Sequence, residues 1–155
     1  MRHLFSLILV SSLAFGAPNR ASVESDAPVF EIERFYAGGL PPTNRNFAMF
    51  SIRPTPGSGF ANCSVNTETG PVVPTVTKMV CSDHNAITWS LEPMGTGMHF
   101  RVWYAFTSHG SQFGEIHFDP ANFTTTTLQG GGRVQSYSGR HMFKLPTRLV
   151  FPASG

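Results

Sequence analysis

The side chains that could do chemistry are concentrated in one stretch, residues 98 to 119, with the sequence MHFRVWYAFTSHGSQFGEIHFD. They comprise two imidazoles, a guanidinium, an indole and two carboxylates: His99, Arg101, Trp103, Glu115, His117 and Asp119. Apolar and polar residues alternate on both sides of the short segment from Ser108 to Ser111, which is the period of a half-buried strand. The stretch therefore predicts a β-hairpin that carries these groups.

The register of this hairpin decides which side chains share a face. If Ser108 pairs with Gln112, the loop is residues 109 to 111, a length that normally places a glycine in the left-handed region. This register opposes Trp103 to His117 and leaves one dry face and one polar face. Pairing Thr107 with Gln112 mixes polar and apolar residues on both faces, so we prefer the first register.

The polar face has a catalytic interpretation. Glu115 and His117 lie two residues apart on one face, and Arg101 lies on the neighbouring strand. A carboxylate, an imidazole and a guanidinium can provide general acid–base catalysis on a phosphodiester, as in small secreted ribonucleases. Those ribonucleases also pack a helix on the sheet, and this sequence predicts no helix.

The same face also has a binding interpretation. An exposed Trp103 is a natural hot spot, with His99, Arg101 and His117 beside it. The plain alternative is a solvated outer face with an Arg101–Asp119 cross-strand pair, which is the usual role of alternating polar residues. Trp103 argues against that alternative, because an indole is seldom left bare.

A metal site on this face would need His99 and His117 to converge. In the preferred register His99 pairs near Ala121, roughly 13 Å along the strand from His117. One ion bound about 2 Å from each nitrogen does not bridge that distance. We therefore expect no metal and no other cofactor.

Residues 1–16 have the features of a secretory signal peptide. They begin with Arg2 and His3, continue with a short apolar core, and end in small residues at the −3 and −1 positions, Ala14 and Gly16. The apolar run is too short to span a bilayer. We expect secretion to the extracellular space, with residues 17–28 as a flexible leader.

Composition favours an all-β chain, because charged residues are sparse at 13% and the chain has 15 Gly and 12 Pro. Short alternating tracts predict seven to nine strands in a single domain over residues 29–151, an antiparallel sandwich or barrel. The pattern is less regular after residue 120. In the first predicted strand, residues 29–37, Phe30 and Ile32 lie on one face, but Phe35 falls on the other. A bulge near residues 33 and 34 would return Phe35 to the same face.

Cys63 and Cys81 are the two cysteines of the chain. In a secreted protein a lone pair is most simply a disulfide, and no CxxC motif or nearby His favours a metal pair. Asn122-Phe123-Thr124 is a glycosylation sequon on a predicted turn. Asn62-Cys63-Ser64 is another, but it contains a half-cystine, so we expect glycosylation at Asn122 alone.

The net charge of +2 is small and indicates neither a nucleic-acid nor a membrane partner. Its distribution is uneven, because no acidic residue follows Pro120 while four cations do: Arg133, Arg140, Lys144 and Arg148. This basic tail is either a solvated edge or a cationic contact surface for an acidic polymer or partner.

Four short motifs occur in order: VFEIERFY at residues 29–36, Phe50-Ser51-Ile52, Cys63-Ser64 and Val80-Cys81. Together they resemble the fungal secreted family typified by the major Alternaria allergen. The resemblance implies a compact antiparallel β-barrel or sandwich with no shared catalytic site. Several members are effectors or elicitors that interact with plant defence proteins. The family usually has more cysteines, so we expect a monomer here rather than a covalent dimer.

The signal peptide, the cysteine pair and the resemblance lead to one hypothesis. The chain is a secreted, non-enzymatic fungal effector or elicitor that acts in virulence by binding a protein of a plant host. The alternative is a secreted ribonuclease-like or nucleic-acid-binding β-protein that uses Arg101, Glu115 and His117.

Overall fold

A computed structural model describes residues 28–151, which form ten β-strands and one turn of 3-10 helix at Pro120–Asn122. The strands are β1 (Val29–Leu40), β2 (Arg45–Arg53), β3 (Ala61–Thr67), β4 (Val76–Cys81), β5 (His84–Met94), β6 (Gly97–Thr107), β7 (Gly110–Phe118), β8 (Phe123–Thr127), β9 (Arg133–Tyr137) and β10 (Phe143–Val150). The prediction of an all-β chain is confirmed. The predicted signal peptide, and the predicted leader except for Pro28, lie outside the described residues. The described part contains no helix of the length and apolarity needed to cross a membrane.

The sheet consists of two antiparallel meanders, β1-β2-β3 and β4-β5-β6-β7, with β10 between them. β10 pairs with β1 through residues 143–146 and with β7 through residues 147–150. The resulting strand order is β3-β2-β1-β10-β7-β6-β5-β4, which curls into a nearly closed antiparallel barrel. The prediction of a sandwich or barrel is confirmed as a barrel.

The two ends of this strand order, β3 and β4, are held together by a covalent bond. The predicted disulfide between Cys63 and Cys81 is confirmed, and both half-cystines are buried. Next to it the backbone N–H of Ser82 donates to the carbonyl of Asn62 at 3.2 Å. The disulfide therefore closes the barrel where, in the described part of the chain, no strand ladder does.

The predicted bulge in β1 is also confirmed. The register with β2 shifts between Glu33 and Tyr36, and Arg34 has a φ of 54°. The extra residue turns Phe35 into the core, where its ring lies 5.0 Å from that of Phe100. Burying such a side chain contributes about 1.5–3 kcal/mol. The other largest fully buried side chains include Trp89, Phe30 and Phe50.

The chain after residue 128, where the alternating pattern is less regular, contains two strands, β9 and β10. β9 pairs with β8 and touches β1 through Gly38 and Ser136. β10 continues through Pro146, although a proline usually interrupts a strand. The structure tolerates this proline because it lies where β10 exchanges its partner β1 for β7, so a ladder hydrogen bond is not needed there.

Candidate binding face

The hairpin of β6 and β7 has a register that neither prediction gave. Tyr104 pairs with Gln112 and Arg101 pairs with Glu115, four residues away from the preferred alignment. A slip of an even number of residues keeps every side chain on its predicted face. The two faces are therefore as predicted, but every cross-strand pair on them is different.

The connection between the two strands is also different. Ser108 and His109 form a two-residue turn. The register shifts between Ala105 and Thr107, where β6 has one residue more than β7. Gly110 lies inside β7 rather than in the left-handed region. A Cβ atom at Gly110 would lie 2.9 Å from the ring of Phe106, so close packing explains this glycine.

An aromatic pair occupies the centre of the outer face. Trp103 lies opposite Phe113, with ring centroids 5.2 Å apart. Lys78 of β4 places its Nζ 5.9 Å from the indole, and Arg148 of β10 places its Cζ 4.5 Å from the ring of Phe113. We call Lys78, Trp103, Phe113 and Arg148 the aromatic row.

The aromatic row explains why an indole lies on an outer face. Phe113 is only 7% exposed although its side chain belongs to the face that points away from the core, because Trp103 and Arg148 cover it. Trp103 itself remains half-buried. The outer face therefore carries a stacked aromatic pair with a cation at each end, rather than a lone tryptophan.

The charged side chains beside the aromatic row form ion pairs. Arg101 donates to Glu92 at 2.6 Å, and the predicted Arg101–Asp119 pair is wrong. Glu115 lies between His99 and Arg148, with His99 Nε2 and Arg148 Nη1 each 3.1 Å from a carboxylate oxygen. Partly exposed pairs of this kind contribute about 1 kcal/mol or less each. Their main effect is to hold the face in one arrangement.

The three residues of the catalytic alternative do not converge in one cavity. Arg101 and Glu115 lie opposite each other, but each is engaged by a different partner. His117 lies across from His99, and its Nε2 is 3.8 Å from Asp119. Among the cavities of the described chain, the one that His117 lines includes neither Arg101 nor Glu115.

The distance argument against a metal site is wrong, because His99 lies directly opposite His117 rather than four residues away. Within residues 28–151, however, no three or more His, Cys, Asp or Glu side chains are grouped as metal ligands would be.

The two sequons differ in their surroundings. The side-chain amide of Asn62 donates to Asp83 Oδ2 at 2.8 Å, and its oxygen accepts from Ser51 and Arg34. Asn122 ends the 3-10 turn and is half-buried. Glycosylation at Asn122 alone stays a prediction, and the engagement of Asn62 is consistent with it.

Four members of this face were not predicted from the sequence. Phe113 has the same strand parity as Glu115 and His117, so alternation alone was sufficient to place it there. Lys78, Glu92 and Arg148 come from other strands. No local pattern identifies them, because their contribution depends on which strands are neighbours.

The chain is similar to two solved structures of a fungal allergen. A crystal structure of Alternaria alternata allergen Alt a 1 aligns over 83% of this chain and 93% of the allergen chain, with a TM-score of 0.56 and 13% identity. The chain has the Alt a 1 fold. A second crystal structure, of the Alternaria alternata major allergen Alt a 1, aligns over 81% of this chain and 97% of that one, with a TM-score of 0.53 and 14% identity.

The resemblance to the family of the major Alternaria allergen is thus confirmed at the level of the fold. Below 15% identity, the likeness to Alt a 1 describes the fold and carries over no function. No family model and no curated protein sequence matches the chain. The chain is an allergen-like β-barrel with one disulfide.

Proposed function

We propose that this chain is a secreted fungal effector that binds a protein of a plant host through the aromatic row, without catalysing a reaction. The observation that carries the proposal is the Trp103–Phe113 pair on the outer face. Tryptophan and arginine are among the side chains that most often dominate binding energy, and here Trp103 and Arg148 flank Phe113 on a surface that spans the five strands from β10 to β4.

The charges of the face favour an acidic partner. Lys78 and Arg148 end the aromatic row; Arg101 is paired with Glu92 and Arg148 with Glu115, so in the described part of the chain Lys78 is the cation of this row without an ion pair. A partner that places a carboxylate over Lys78 and an apolar side chain over Trp103 would match this pattern. Such complementarity speeds association and fixes orientation more than it increases affinity.

The ribonuclease alternative needs a carboxylate that is free to exchange a proton. Glu115 is held by both His99 and Arg148, and Arg101 is turned toward Glu92. Reaching a phosphodiester would require breaking these pairs. The geometry therefore favours binding over acid–base catalysis on this face.

The test uses the chain from Ala17 onward, produced with its disulfide, infiltrated into host leaves and used as bait in leaf extracellular fluid. We expect a defence or susceptibility response and a captured protein whose affinity falls about tenfold or more in Trp103→Ala, since a hot-spot truncation costs about 2 kcal/mol. Titration of the purified captured protein would measure that affinity.

Tyr36→Ala is the matched control, because it removes an aromatic side chain that is 42% exposed on β1. It should leave binding unchanged. No leaf response and no captured partner would refute the proposal. RNA cleavage by the purified chain, abolished in His117→Ala, would favour the ribonuclease alternative.

A further inference from the structure

β7 and β10 separate at the middle of the barrel wall. Their last ladder pair is Gly114 with Thr147, after which β10 turns to β1. Residues 115–118 of β7 pair only with β6, and residues 143–146 of β10 pair only with β1. A wedge-shaped opening therefore lies between two strand edges that are neighbours in the strand order but do not bond there.

This opening is a groove of about 420 Å³. Its lining comes from β7, from β10 and from the segments around β8 and β9: Ile116, His117, Phe118, Asn122, Tyr137, Arg140, Phe143 and Lys144. Phe118 and Tyr137 form a buried floor, while Ile116 and Phe143 are half-buried and accessible. The volume lies within the range of small-molecule sites, about 300–1,000 Å³.

The rim of the groove is cationic. His117, Arg140 and Lys144 are exposed there, and none of the described lining residues is acidic. In the described part of the chain neither Arg140 nor Lys144 forms an ion pair, whereas His117 lies 3.8 Å from the exposed Asp119. Two of the four cations in the basic tail thus meet at one opening, which a solvated edge would not require.

Two further polar groups can help to orient a ligand in the groove. The Tyr137 hydroxyl donates to the Arg140 carbonyl at 3.0 Å, which fixes the loop that carries Arg140. Burial raises the pKa of Tyr137, so this phenol stays protonated at neutral pH. Asn122 stands at the rim with a side-chain amide that can donate to a ligand oxygen.

We propose that the groove between β7 and β10 binds a small organic carboxylate that carries a six-membered ring, either an aromatic acid or a sugar acid. The ring lies against Ile116 and Phe143, and the carboxylate meets Arg140 and Lys144. Apolar walls with a few convergent polar groups are typical of such sites. The groove does not include the aromatic row, so the test of this site is independent of the test of the proposed function.

The test is a titration of the unglycosylated, disulfide-bonded chain from Ala17 with p-coumarate and, separately, with trigalacturonate, followed by amide NMR shifts. We expect saturable binding with the largest shifts at residues 116, 137 and 143. The double variant Arg140→Gln/Lys144→Gln should raise Kd about tenfold or more. The double variant Arg45→Gln/Arg133→Gln removes the same charge from exposed positions outside the groove and should leave Kd unchanged.

The two probes identify the source of the carboxylate, and binding of either one supports the site. p-Coumaramide, which has the ring without the charge, should bind at least about tenfold more weakly than p-coumarate. Absence of saturable binding by both carboxylates overturns the proposal. Equal weakening by the control double variant also overturns it, as does groove-dependent binding of a Glu-rich peptide when neither small acid binds.

Discussion

The side chain of Asp83, just after β4, forms hydrogen bonds with β3. Its Oδ1 accepts from the backbone N–H of Asn62 at 2.7 Å, and its Oδ2 accepts from the side-chain amide of Asn62 at 2.8 Å. These hydrogen bonds hold the pKa of Asp83 below its usual value of 3.8, and the bond from the backbone has the larger effect. The folded state is therefore stabilised when this carboxylate is ionised.

We expect Asp83→Asn to lower the free energy of unfolding at pH 7 by less than about 1 kcal/mol, because an exposed group is screened by solvent. The difference between wild type and variant should be fully present above the unfolded-state pKa of about 3.8 and should disappear as the pH falls through the lower folded-state pKa. Urea unfolding between neutral and strongly acidic pH would measure it.

Glu68→Gln is the control, since Glu68 is an exposed carboxylate whose nearest cation, Arg45, is 3.7 Å away. This variant should stay within about 0.5 kcal/mol of wild type at neutral pH. A wild type–Asp83→Asn difference that is the same at every pH would show that the loss is unrelated to ionisation.

At the scale of elements, the β6–β7 hairpin shows what alternation can and cannot predict. The faces of Trp103 and Val102 follow from strand parity, so they were predicted correctly. The pairing did not follow, because an alignment four residues away presents the same faces. What selects the true register is local packing, such as the approach of Phe106 to Gly110, and no periodicity encodes it.

Gly114 forms the last ladder pair between β7 and β10, and the packing around it leaves no room for a side chain. A Cβ atom there would lie 2.9 Å from Leu145 Cγ and 3.1 Å from the Pro146 carbonyl oxygen. We expect Gly114→Val to destabilise the protein by about 1–3 kcal/mol through overpacking. Urea denaturation would measure the change in the free energy of unfolding.

Gly59→Val is the matched substitution, because a Cβ atom at Gly59 has no neighbour within 4 Å. It should cost less than about 0.5 kcal/mol. Equal destabilisation by both variants would contradict the view that β7 and β10 need a glycine at their contact.

At the scale of the whole molecule, the barrel is two meanders joined in two ways: by β10 on one side and by the disulfide on the other. The sequence predicted the fold class, the pairing of Cys63 with Cys81, the bulge in β1 and the hairpin of β6 and β7. It did not predict the position of β10, because Pro146 interrupts its pattern and its two partners lie far away in the chain. The candidate groove was therefore not predictable either, since it exists only because β10 changes partners.

Removing the disulfide with Cys63→Ala/Cys81→Ala should destabilise the protein by about 3 kcal/mol, the chain-entropy value for a loop of this size. The loss should be local at first, because β3 and β4 then become free edges. Hydrogen exchange should accelerate at the amides of β3 and β4 before those of β1 and β10. Uniform acceleration across the barrel would show instead that the bond stabilises all strands equally.

The place of β10 between β1 and β7 has a consequence for biosynthesis. Each meander can form as soon as its own strands have been made, because all of its pairings are between consecutive strands. The barrel wall, by contrast, is completed only when residues 143–150 have emerged and inserted between two meanders that were made earlier. Until then the edges of β1 and β7 that face β10 stay open, and an open strand edge can pair with another chain.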